Sequence, residues 1–550
     1  MCCASLSPDI SKYRARLLHI VGRAAQTAKC GLTLLLFRLL RRPNIRAKRQ
    51  LRPTKLRNIR RHLLRLLLVW AAGAAQGQSN TAERPLSLSQ CFRIALDHNF
   101  DIKIARFNPE IQQHNLSATY GAYEPTSSFL ATRNFSAAPV ALNTLGEPVT
   151  GPSSYGDNFT PGVTGILPSG MSYNLGGNLA GVSETGMPEN VNATTSLQLT
   201  QPILRNFWID SPRETIQVNK SLLKTSKLAV TLQIMTTLTS VEQAYYNLIV
   251  AQEQVRVYEQ AFQLAQRLVN ESKLRVTAGS QAPLDEKQAE SQLSASQADL
   301  LGSQGALLAQ EYALKSLLSD RLSEWDGVHI KPTEKLDVIP RAFDVHHSWS
   351  RGLSLRPDLL QARENIERQG IVLKYLRNQI YPELDLVGSY GFNGTGAGYN
   401  EALGGIQKGN APAWTFGAQL TMPLGGNRSA RETYHSNKAQ KEQLLAQLKQ
   451  LEQNIMIQIA VSVEQARTGF AQVDATLQSR LFAEAALDAE QKKLDHGRST
   501  SFVVVQLQRD LTTARLAELA AVSQYNQALA QLALNEGTTL ERDKLSVEFK

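Results

Sequence analysis

Residues 241–265 read VEQAYYNLIVAQEQVRVYEQAFQLA, and this stretch decides the fold. Four heptads with apolar residues at alternating spacings of three and four predict a helix that packs on a partner helix as a coiled coil. The surrounding residues 213–278 contain neither glycine nor proline, so we expect one helix of 66 residues, about 100 Å long. The heptad positions are Val241, Ala244, Leu248, Ala251, Val255, Tyr258, Phe262 and Ala265.

A second helix follows Gly279 and carries four leucines seven residues apart, at Leu293, Leu300, Leu307 and Leu314. The glycine between two apolar seams predicts the turn of an antiparallel coiled-coil hairpin. The same arrangement recurs near the C-terminus. There, a long helix over residues 431–496 is followed by Gly497 and by a helix with its own apolar seam.

The chain contains an internal repeat. Residues 86–129 match residues 343–386 at an offset of 257, and the stretch starting at Ser211 matches the stretch starting at Ser429 at an offset of 218. Between these regions, residues 198–202 match residues 419–423 at an offset of 221. The drop from 257 to 221 means that the first copy carries 36 more residues than the second between its two proline markers, Pro125 and Pro202. A period repeated in the same order predicts two structural repeats with the same sequence of elements.

Each repeat is predicted to contain a helix, a strand hairpin and a coiled-coil hairpin. Ser-x-x-Glu capping boxes at Ser211 and Ser429 predict the starts of the long helices. The short helices are expected from Asp101 to about Gly121 and from Asp358 to about Gln379. The predicted ranges are 86–319 for the first repeat (strands in 125–202, coiled coil in 211–319), 320–349 for a connection, 350–537 for the second repeat (strands in 382–423, coiled coil in 429–537), and 538–550 for a C-terminal tail.

Two nine-residue segments of the second repeat, 384–392 and 414–422, alternate between apolar and small or polar residues, which predicts half-buried strands. In the first repeat residues 191–199 alternate in the same way, but the partner near Phe129 is interrupted by Arg133. The glycine-rich residues 150–187 leave open a long loop or an extra hairpin. We therefore predict four strands in each chain.

Four strands cannot close a barrel alone, because about eight is the usual minimum. Three chains would supply twelve, and a sheet in lipid must close because hydrocarbon cannot satisfy the backbone groups of an open edge. The predicted fold is therefore an α+β membrane protein, with a long antiparallel coiled-coil α-barrel and a short antiparallel transmembrane β-barrel completed by trimerisation.

The net charge of +11 comes from the beginning of the chain. Residues 1–70 hold 17 Lys and Arg against the single acid Asp9, whereas the remaining residues hold 42 basic and 47 acidic side chains. The rest of the chain therefore has no excess of positive charge, and we expect no nucleic-acid partner.

The apolar run LLLVWAAGAA at residues 66–75 follows three arginines, Arg60, Arg61 and Arg65. This pattern is typical of a signal peptide, and a run of about ten residues is too short to span a bilayer as a helix. We interpret residues 1–77 as a basic leader with a signal peptide. Residues 1–55 are expected to be a start-site extension, with a genuine N-terminal extension as the alternative.

Several motifs resemble those of the TolC-like outer-membrane efflux protein family, over about residues 86–537. They are LSLSQCFRIAL at 86–96, Asn99-Phe-Asp101, the Tyr-x-Pro at Pro125, LPSG at 167–170, TQPILR at 200–205 and the two turn glycines. The resemblance implies a homotrimeric channel in the outer membrane of a Gram-negative-type bacterium, with a twelve-stranded barrel in the lipid and a twelve-helix tunnel in the periplasm. It also implies an equatorial belt at residues 320–349, docking of the helical tips onto a periplasmic adaptor and an inner-membrane pump, and no cofactor.

The resemblance assigns roles to particular residues. The tips at Gly279 and Gly497, with Asp285, would dock the adaptor, and Tyr390, Phe392 and Trp414 would form an aromatic girdle at the lipid boundary. Family members carry acidic residues just beyond the second tip glycine, where this chain has Val503 and Gln506. We therefore expect a less charged, apolar gate. Asp285 also fits a simpler explanation, since acids are favourable in the first turn of a helix.

No pattern of residues indicates an enzyme. The pair His346-His347 lacks a metal-binding frame, and the glycines at 394–398 and 404–409 are interpreted as loop residues that do not open a helix. The alternative function class is a periplasmic coiled-coil adaptor without its own pore. An adaptor would be expected to have one coiled-coil hairpin rather than two repeats with barrel-type strands.

Overall fold

The computed structural model describes residues 82–142, 144–149 and 151–545. The predicted leader, residues 1–77, and the end of the predicted tail lie outside the described residues. Among the described residues, no helix is both long and apolar enough to cross a membrane.

Two very long helices, each followed by a shorter antiparallel helix, dominate the fold. The helices are α1 Leu88–His98, α2 Phe100–Thr119, α3 Ser211–Thr277, α4 Pro283–Leu318, α5 Val345–Leu355, α6 Pro357–Asn378, α7 Tyr399–Lys408, α8 Arg428–Asp495, α9 Ser501–Glu536 and α10 Thr539–Arg542.

The predicted seam of α3 lies in the core along most of its length. Val241, Leu248 and Ala265 are almost fully buried, and the helix spans 67 residues. On α4 the predicted Leu314 is fully buried, whereas Leu293, Leu300 and Leu307 are only partly covered and the small Ser296 and Ser303 beside them are buried. The two hairpins therefore form as predicted, but only one of the four stripe leucines is fully covered by the chain's own helices.

The predicted capping boxes are wrong by one or two residues. The Asp210 side chain accepts a hydrogen bond from the Arg213 amide at 2.9 Å, so Asp210 caps α3 and Ser211 is its first helical residue. In the second repeat α8 starts after Asn427, whose backbone is left-handed (φ 53°). The Asn427 side chain donates a hydrogen bond to the Gln379 carbonyl at 2.9 Å. An aspartate and an asparagine one or two residues earlier displace both serines from the capping position.

The strands are β1 Ala82–Leu86, β2 Thr126–Ala137, β3 Ala141–Leu142, β4 Pro148–Val149, β5 Ser153–Ile166, β6 Ser172–Glu184, β7 Asn190–Pro202, β8 Val328–Pro332, β9 Glu383–Gly396 and β10 Pro412–Thr421. Six of them form one antiparallel sheet in the order β10-β9-β7-β6-β5-β2. The prediction of four strands in each chain is therefore wrong, because the glycine-rich residues 150–187 form the hairpin β5–β6.

The internal repeat extends to the ends of individual elements. An offset of 257 maps α1 onto α5 at both ends, and an offset of 218 does the same for α4 and α9. Helices α1 and α5 were not predicted, and α5 begins inside the residues 320–349 assigned to a connection. Their side-chain caps, Ser87 and Asp344, are the signals that identify them.

The helices pack side by side as a wall. Its lower half has the order α4-α3-α9-α8, and its upper half, next to the sheet, has the order α2-α3-α6-α8. Strands follow their helices in the same order, because α2 leads into β2, β7 into α3, α6 into β9 and β10 into α8. The hairpin β5–β6 is inserted between the strands joined to α2 and α3.

A belt of shorter elements surrounds the middle of the wall. Strand β1 pairs in parallel with β8, and the buried Tyr245 of α3 donates a hydrogen bond to the Leu86 carbonyl at 3.0 Å. The tail is fastened to α3 by an ion pair between Arg542 and the buried Glu242. Burial raises the pKa of Glu242, although Arg542 and a 2.9 Å hydrogen bond from Tyr246 favour its charged form.

A second buried ion pair lies within α4, and its carboxylate also bonds to the belt strand β8. Glu311 and Lys315 are both at least 95% buried and their charged groups are 2.9 Å apart. The other oxygen of Glu311 lies 3.1 Å from His329 Nδ1, and the Ile330 amide donates to the carboxylate at 3.1 Å. Burial acts to raise the pKa of Glu311, but these hydrogen bonds outweigh it and hold the pKa below its ordinary value.

We predict that Glu311→Gln lowers the free energy of unfolding by about 3–5 kcal/mol at neutral pH, because it leaves Lys315 buried without a counter-charge. Because the pKa of Glu311 is lower in the folded than in the unfolded protein, its charged form stabilises the fold at any pH above the ordinary glutamate pKa of about 4.5. This stabilisation is lost as the pH falls through the lower pKa of the folded state. The difference from wild type should therefore shrink below about pH 4.5, as measured by thermal loss of helical circular dichroism.

The matched control is Glu290→Gln, which removes an exposed ion pair with Lys287 on the same helix. Solvent-exposed pairs contribute little, so this variant should melt like the wild type. Equal melting of both variants at neutral pH would contradict the assignment of Glu311 as a buried anchor.

Candidate functional site

Both coiled-coil hairpins turn on a glycine with a left-handed backbone, Gly279 at φ 72° and Gly497 at φ 69°. After each glycine a backbone amide reaches back to close the helix, from Ser280 to the Arg275 carbonyl and from Arg498 to the Lys493 carbonyl, both at 2.9 Å. A side chain at either glycine would strain this conformation. The two tips therefore have the same turn, as their offset of 218 predicts.

The two tips are linked to each other by few bonds. Gln281 donates to the Ser501 hydroxyl at 2.6 Å, and further along the helices Arg509 donates to the Gln292 carbonyl oxygen. These are neutral or singly charged contacts between side chains, and only one of them, at Ser501, involves a buried residue. The tips are therefore less firmly held than the belt, where full ion pairs are buried.

Acidic side chains near the tips are neutralised by lysines. Glu490 accepts hydrogen bonds from Lys493 at 2.8 Å and from Ser499 at 2.5 Å, which hold its pKa below the ordinary value. Glu290 is held in the same way by Lys287 and Lys273. Asp285 lies in the first turn of α4, consistent with the simpler, helix-dipole explanation of an acid there.

The two predicted gate residues lie on an uncovered face of α9. Val503 is 39% exposed, and Gln506 donates a hydrogen bond to Asp510 at 3.2 Å. The neighbouring Val504 points to the opposite side, where it is buried against Leu487, Leu494 and Leu511. Asp510 is an acid on the uncovered face that the sequence analysis did not single out.

Equivalent apolar residues lie exposed at both tips. Leu284 is 66% exposed and Phe502 is 59% exposed, and the two positions differ by the repeat offset of 218. Neither residue was predicted from the sequence, although the offset of 218 pairs them. Large apolar side chains repeated at one end of a protein are typical of a binding surface.

The six-stranded sheet has two chemically distinct faces. On the apolar face, aromatic and aliphatic residues lie opposite one another, such as Leu175 with Leu197 and Tyr390 with Trp414. The polar face carries mostly Ser, Thr, Asn, Gln and Gly, such as Asn174 opposite Gln198. The alternation continues through all six strands, so the sheet separates an apolar side from a polar side along its whole width.

The three predicted girdle residues lie together on the apolar face. The Tyr390 and Phe392 rings are 5.4 Å apart, and Trp414 is 74% exposed on the neighbouring strand. At the other side of the sheet, Phe135 and Tyr155 form a second ring pair, 4.8 Å apart. The strand pattern alone did not identify this second pair.

Helix α7 lies on the apolar face at the end of the sheet far from α3. Its Ala402 is fully buried against Val191 and Ala193, and Gly394 permits the contact because a side chain there would collide with the Ala402 backbone. The prediction that the glycines at 394–398 precede no helix is therefore wrong. They are needed for close packing of a helix on a sheet.

One ion pair lies on the apolar face, between Arg133 and Asp157 at 3.5 Å. The hydroxyl of Tyr399, the first residue of α7, lies 3.4 Å from Asp157. The ion pair therefore lies on the part of the sheet that α7 covers, where the Tyr399 hydroxyl is a polar group close to Asp157. This explains why Arg133 interrupts an apolar face without breaking the strand.

The described residues contain no group of three or more His, Cys, Asp and Glu side chains arranged to hold a metal ion. His346 and His347 lie in the first turn of α5, and the His346 ring packs edge-on against Trp349 with centroids 5.1 Å apart. Packing against Trp349 therefore explains the position of the His346 side chain.

The chain matches a family model described as "Outer membrane efflux protein" over residues 171–319 and 350–538. No curated protein matches it in sequence. Its fold is similar to the Campylobacter jejuni CmeC outer membrane channel, with a TM-score of 0.60 and 18% identity over 84% of this chain and 90% of that chain.

Two further structures have the same fold. One is the outer membrane protein VceC from Vibrio cholerae, with a TM-score of 0.60 and 17% identity over 82% of this chain and 96% of that chain. The other is the open state of the Neisseria gonorrhoeae MtrE outer membrane channel, with a TM-score of 0.59 and 16% identity over 84% of this chain and 91% of that chain.

We predict that a cysteine at position 503 reacts with a water-soluble maleimide at least on the order of tenfold faster than one at 504, because the buried site reacts only after local opening. Cys91 can stay in place, since burial raises the pKa of its thiol to about 12. Cys2, Cys3 and Cys30 are replaced by serine. Similar rates at 503 and 504 would show that the face of α9 assigned here is wrong.

Proposed function

The chain belongs to the outer membrane efflux protein family, and from this membership and the open wall described above we propose that it is a trimeric exit duct of the outer membrane. In this proposal three copies form a passive conduit across the periplasm and the outer membrane. A periplasmic adaptor and an inner-membrane pump open it at the helical tips. Such an assembly serves tripartite efflux or type I secretion.

The observation that carries the proposal is that the helical wall has uncovered apolar surface at both of its edges. On one side, α2 leaves a stripe of apolar residues uncovered at spacings of four, three and four. On the other side, α8 exposes Ile457 (60%) and Val461 (50%). A monomer in water would not favour such surfaces, whereas the facing edge of another copy would cover them. The α2 stripe consists of Phe100, Ile104, Phe107 and Ile111.

The lower half of the wall has the same character. Helix α4, its outermost member, exposes Leu301 and Leu308, and α8 exposes Phe482 at the opposite edge. The two edges differ in sequence, so contact between copies would be head-to-tail and would close a ring. This supports a homotrimer in which the edge formed by α2 and α4 packs on α8 of the next copy.

The six-stranded sheet has an edge strand with one unpaired side on each of the same two sides. Strand β2 is continuous with α2 at one edge, and β10 is continuous with α8 at the other. Six antiparallel strands leave the two edge strands running in opposite directions, so β2 of one copy and β10 of the next would pair antiparallel. Closure would satisfy the backbone groups that lipid cannot.

The apolar face of the sheet would contact the outer-membrane lipid, and the polar face would line the bore. On β9, nine residues, 384–392, lie between the helical wall and the part covered by α7, which suits a tilted strand crossing the apolar layer. Tyr390, Phe392 and Trp414 would act as part of the aromatic girdle. The 67 residues of α3 would extend about 100 Å into the periplasm.

The tips would dock the adaptor. Gly279 and Gly497 provide the turns, and Asp285 lies within the same surface. The exposed Leu284 and Phe502 add apolar contacts that recur in both repeats, so three copies would present six similar sites. An adaptor surface with apolar pockets fits this arrangement.

The alternative function, a periplasmic coiled-coil adaptor without its own pore, is less well supported. A soluble adaptor would have to hide the apolar face of a six-stranded sheet, and in this chain aromatic residues such as Trp414 and Phe416 are about three-quarters exposed on that face. A lipid environment accounts for these residues directly.

We predict that the protein fractionates with the outer membrane and migrates as a trimer in mild detergent, and that Phe107→Asp abolishes most of the trimer by placing a charge in the α2 contact. Gln113→Asp is the matched control, since Gln113 is exposed on α2 outside the stripe. Trimers are measured by native electrophoresis. A soluble monomer, or equal loss of trimer in both variants, would overturn the proposal.

We predict further that Val503→Asp makes the channel more cation-selective, because it would place three carboxylates at an apolar constriction. Val503→Ala, which adds no charge, should keep the selectivity of the wild type. Selectivity is measured as the reversal potential of single channels in a salt gradient. An unchanged reversal potential in Val503→Asp would remove Val503 and, with it, Gln506 from the gate.

A further inference from the structure

Between its proline markers, Pro125 and Pro202, the first repeat carries 36 more residues than the second, and the hairpin β5–β6 lies in this excess. In the second repeat, the strands attached to α6 and α8, β9 and β10, pair directly. In the first repeat, the equivalent strands β2 and β7 are separated by β5 and β6. We infer that three copies build a barrel of eighteen strands, wider than the twelve-stranded barrel that two strands in each repeat would form. This inference rests on the proposed trimer.

The inserted hairpin has the properties of barrel wall rather than of a surface flap. Strands β5 and β6 have 14 and 13 residues, close to the 14 of β9 and the 13 of β7. Each is paired on both sides, with one interruption between β5 and β6 at Thr160 and Pro161. Their apolar residues, such as Phe159 and Leu175, lie on the same face as Leu197 and Tyr390. A flap would not need to continue this alternation in register.

The near end of the hairpin is fitted onto the start of α3. The turn between β5 and β6 contains Gly170, whose backbone is left-handed (φ 84°), and a side chain there would collide with the guanidinium of Arg213. Arg213 in turn donates to the Asn206 carbonyl at 3.0 Å and pairs with the capping Asp210 at 3.0 Å. The hairpin therefore starts at the same level as the other strands, at the junction with the helical wall.

The perimeter of the helical wall also fits six strands better than four. Neighbouring helices pack about 8–10 Å apart, so the four helices of the upper wall occupy roughly 32–40 Å of perimeter in each chain. Strands about 4.8 Å apart, tilted by about 40°, occupy roughly 38 Å for six strands and roughly 25 Å for four. An eighteen-stranded barrel of about 36 Å backbone diameter would continue the tunnel without narrowing.

A barrel of this width changes where cargo is restricted. The bore through the membrane would be as wide as the tunnel, and its lining would be uncharged hydroxyl, amide and glycine groups over most of its length. Passage would then be limited at the tips alone. A duct of this kind suits large cargo, such as an unfolded polypeptide, as well as small molecules.

The test compares the inserted hairpin with a neighbouring strand at the same level. Four single-cysteine variants are used: Leu175→Cys and Asn174→Cys on β6, and Leu197→Cys and Gln198→Cys on β7, which are directly opposite them. Each carries an environment-sensitive fluorophore in the trimer, reconstituted into bilayers containing a nitroxide-labelled lipid. Accessibility to water is measured with iodide quenching.

We expect lipid quenching at 175 and 197, and iodide quenching at 174 and 198, in equal measure on the two strands. One contrary result is that 197 is quenched by lipid and 198 by iodide, as expected, while 175 and 174 are both quenched by iodide. The hairpin then lies outside the barrel wall and the inference fails, although the proposed duct stands. If 197 and 198 do not separate either, the proposed function fails with it. Electron cryomicroscopy of the trimer in nanodiscs gives the strand count directly, with eighteen expected and twelve contradicting the inference.

Discussion

An unpaired strand edge cannot remain in hydrocarbon, because no solvent there satisfies its backbone N–H and C=O groups. In the proposed duct, the sheet of this chain would bring two such edges into lipid, β2 and β10, each ten or more residues long. This constraint governs the rest of the molecule. The helices that feed the edge strands must come to the edges of the wall as well, and they do, with α2 next to β2 and α8 next to β10. The uncovered apolar surface of α2 and α8 therefore lies on the same two sides as the unpaired backbone groups of β2 and β10.

The middle of the wall is held differently from its ends. The Glu242–Arg542 ion pair fastens the tail to α3, and the buried Glu311, paired with Lys315 on α4, holds the belt through its hydrogen bonds to His329 and Ile330. Removing one partner of such a pair leaves a buried charge, so this region resists rearrangement. At the tips the two hairpins share the Gln281 to Ser501 hydrogen bond and exposed side chains instead. In the proposed duct, helix displacement that opens the tube would cost least at the tips, because the contacts between hairpins are weakest there.

Much of the helical architecture could be predicted from the sequence, because a heptad seam and an internal offset are properties of many residues together. The offset of 218 relates the ends of α4 to those of α9 to the residue, although it does not by itself fix where either helix begins. The hairpin β5–β6 could not be predicted with the same certainty. Its polar face is mostly glycine, serine, threonine and asparagine, which also make loops, and Asp157 interrupts the apolar face where its partner Arg133 is not adjacent in sequence. The uncovered face of α9 at Val503 and Gln506 follows from helix geometry, whereas the exposed Leu284 and Phe502 become meaningful only when both tips are seen together.

The drop of 36 residues in the repeat offset links these observations. If the two repeats began alike, an inserted hairpin had to satisfy three conditions at once in order to persist. It had to pair on both sides so that no edge was left in lipid, to keep the alternation so that each face stayed apolar or polar, and to meet the helical wall at the existing junction. Strands β5 and β6 satisfy the first two in register, and the contact of Gly170 with Arg213 satisfies the third. A pair of strands is also the smallest insertion that preserves antiparallel pairing between copies, since one added strand would make the two edges run in the same direction. In the proposed duct, barrel width would therefore change in steps of one hairpin per chain, while the number of helices in the tunnel stays the same.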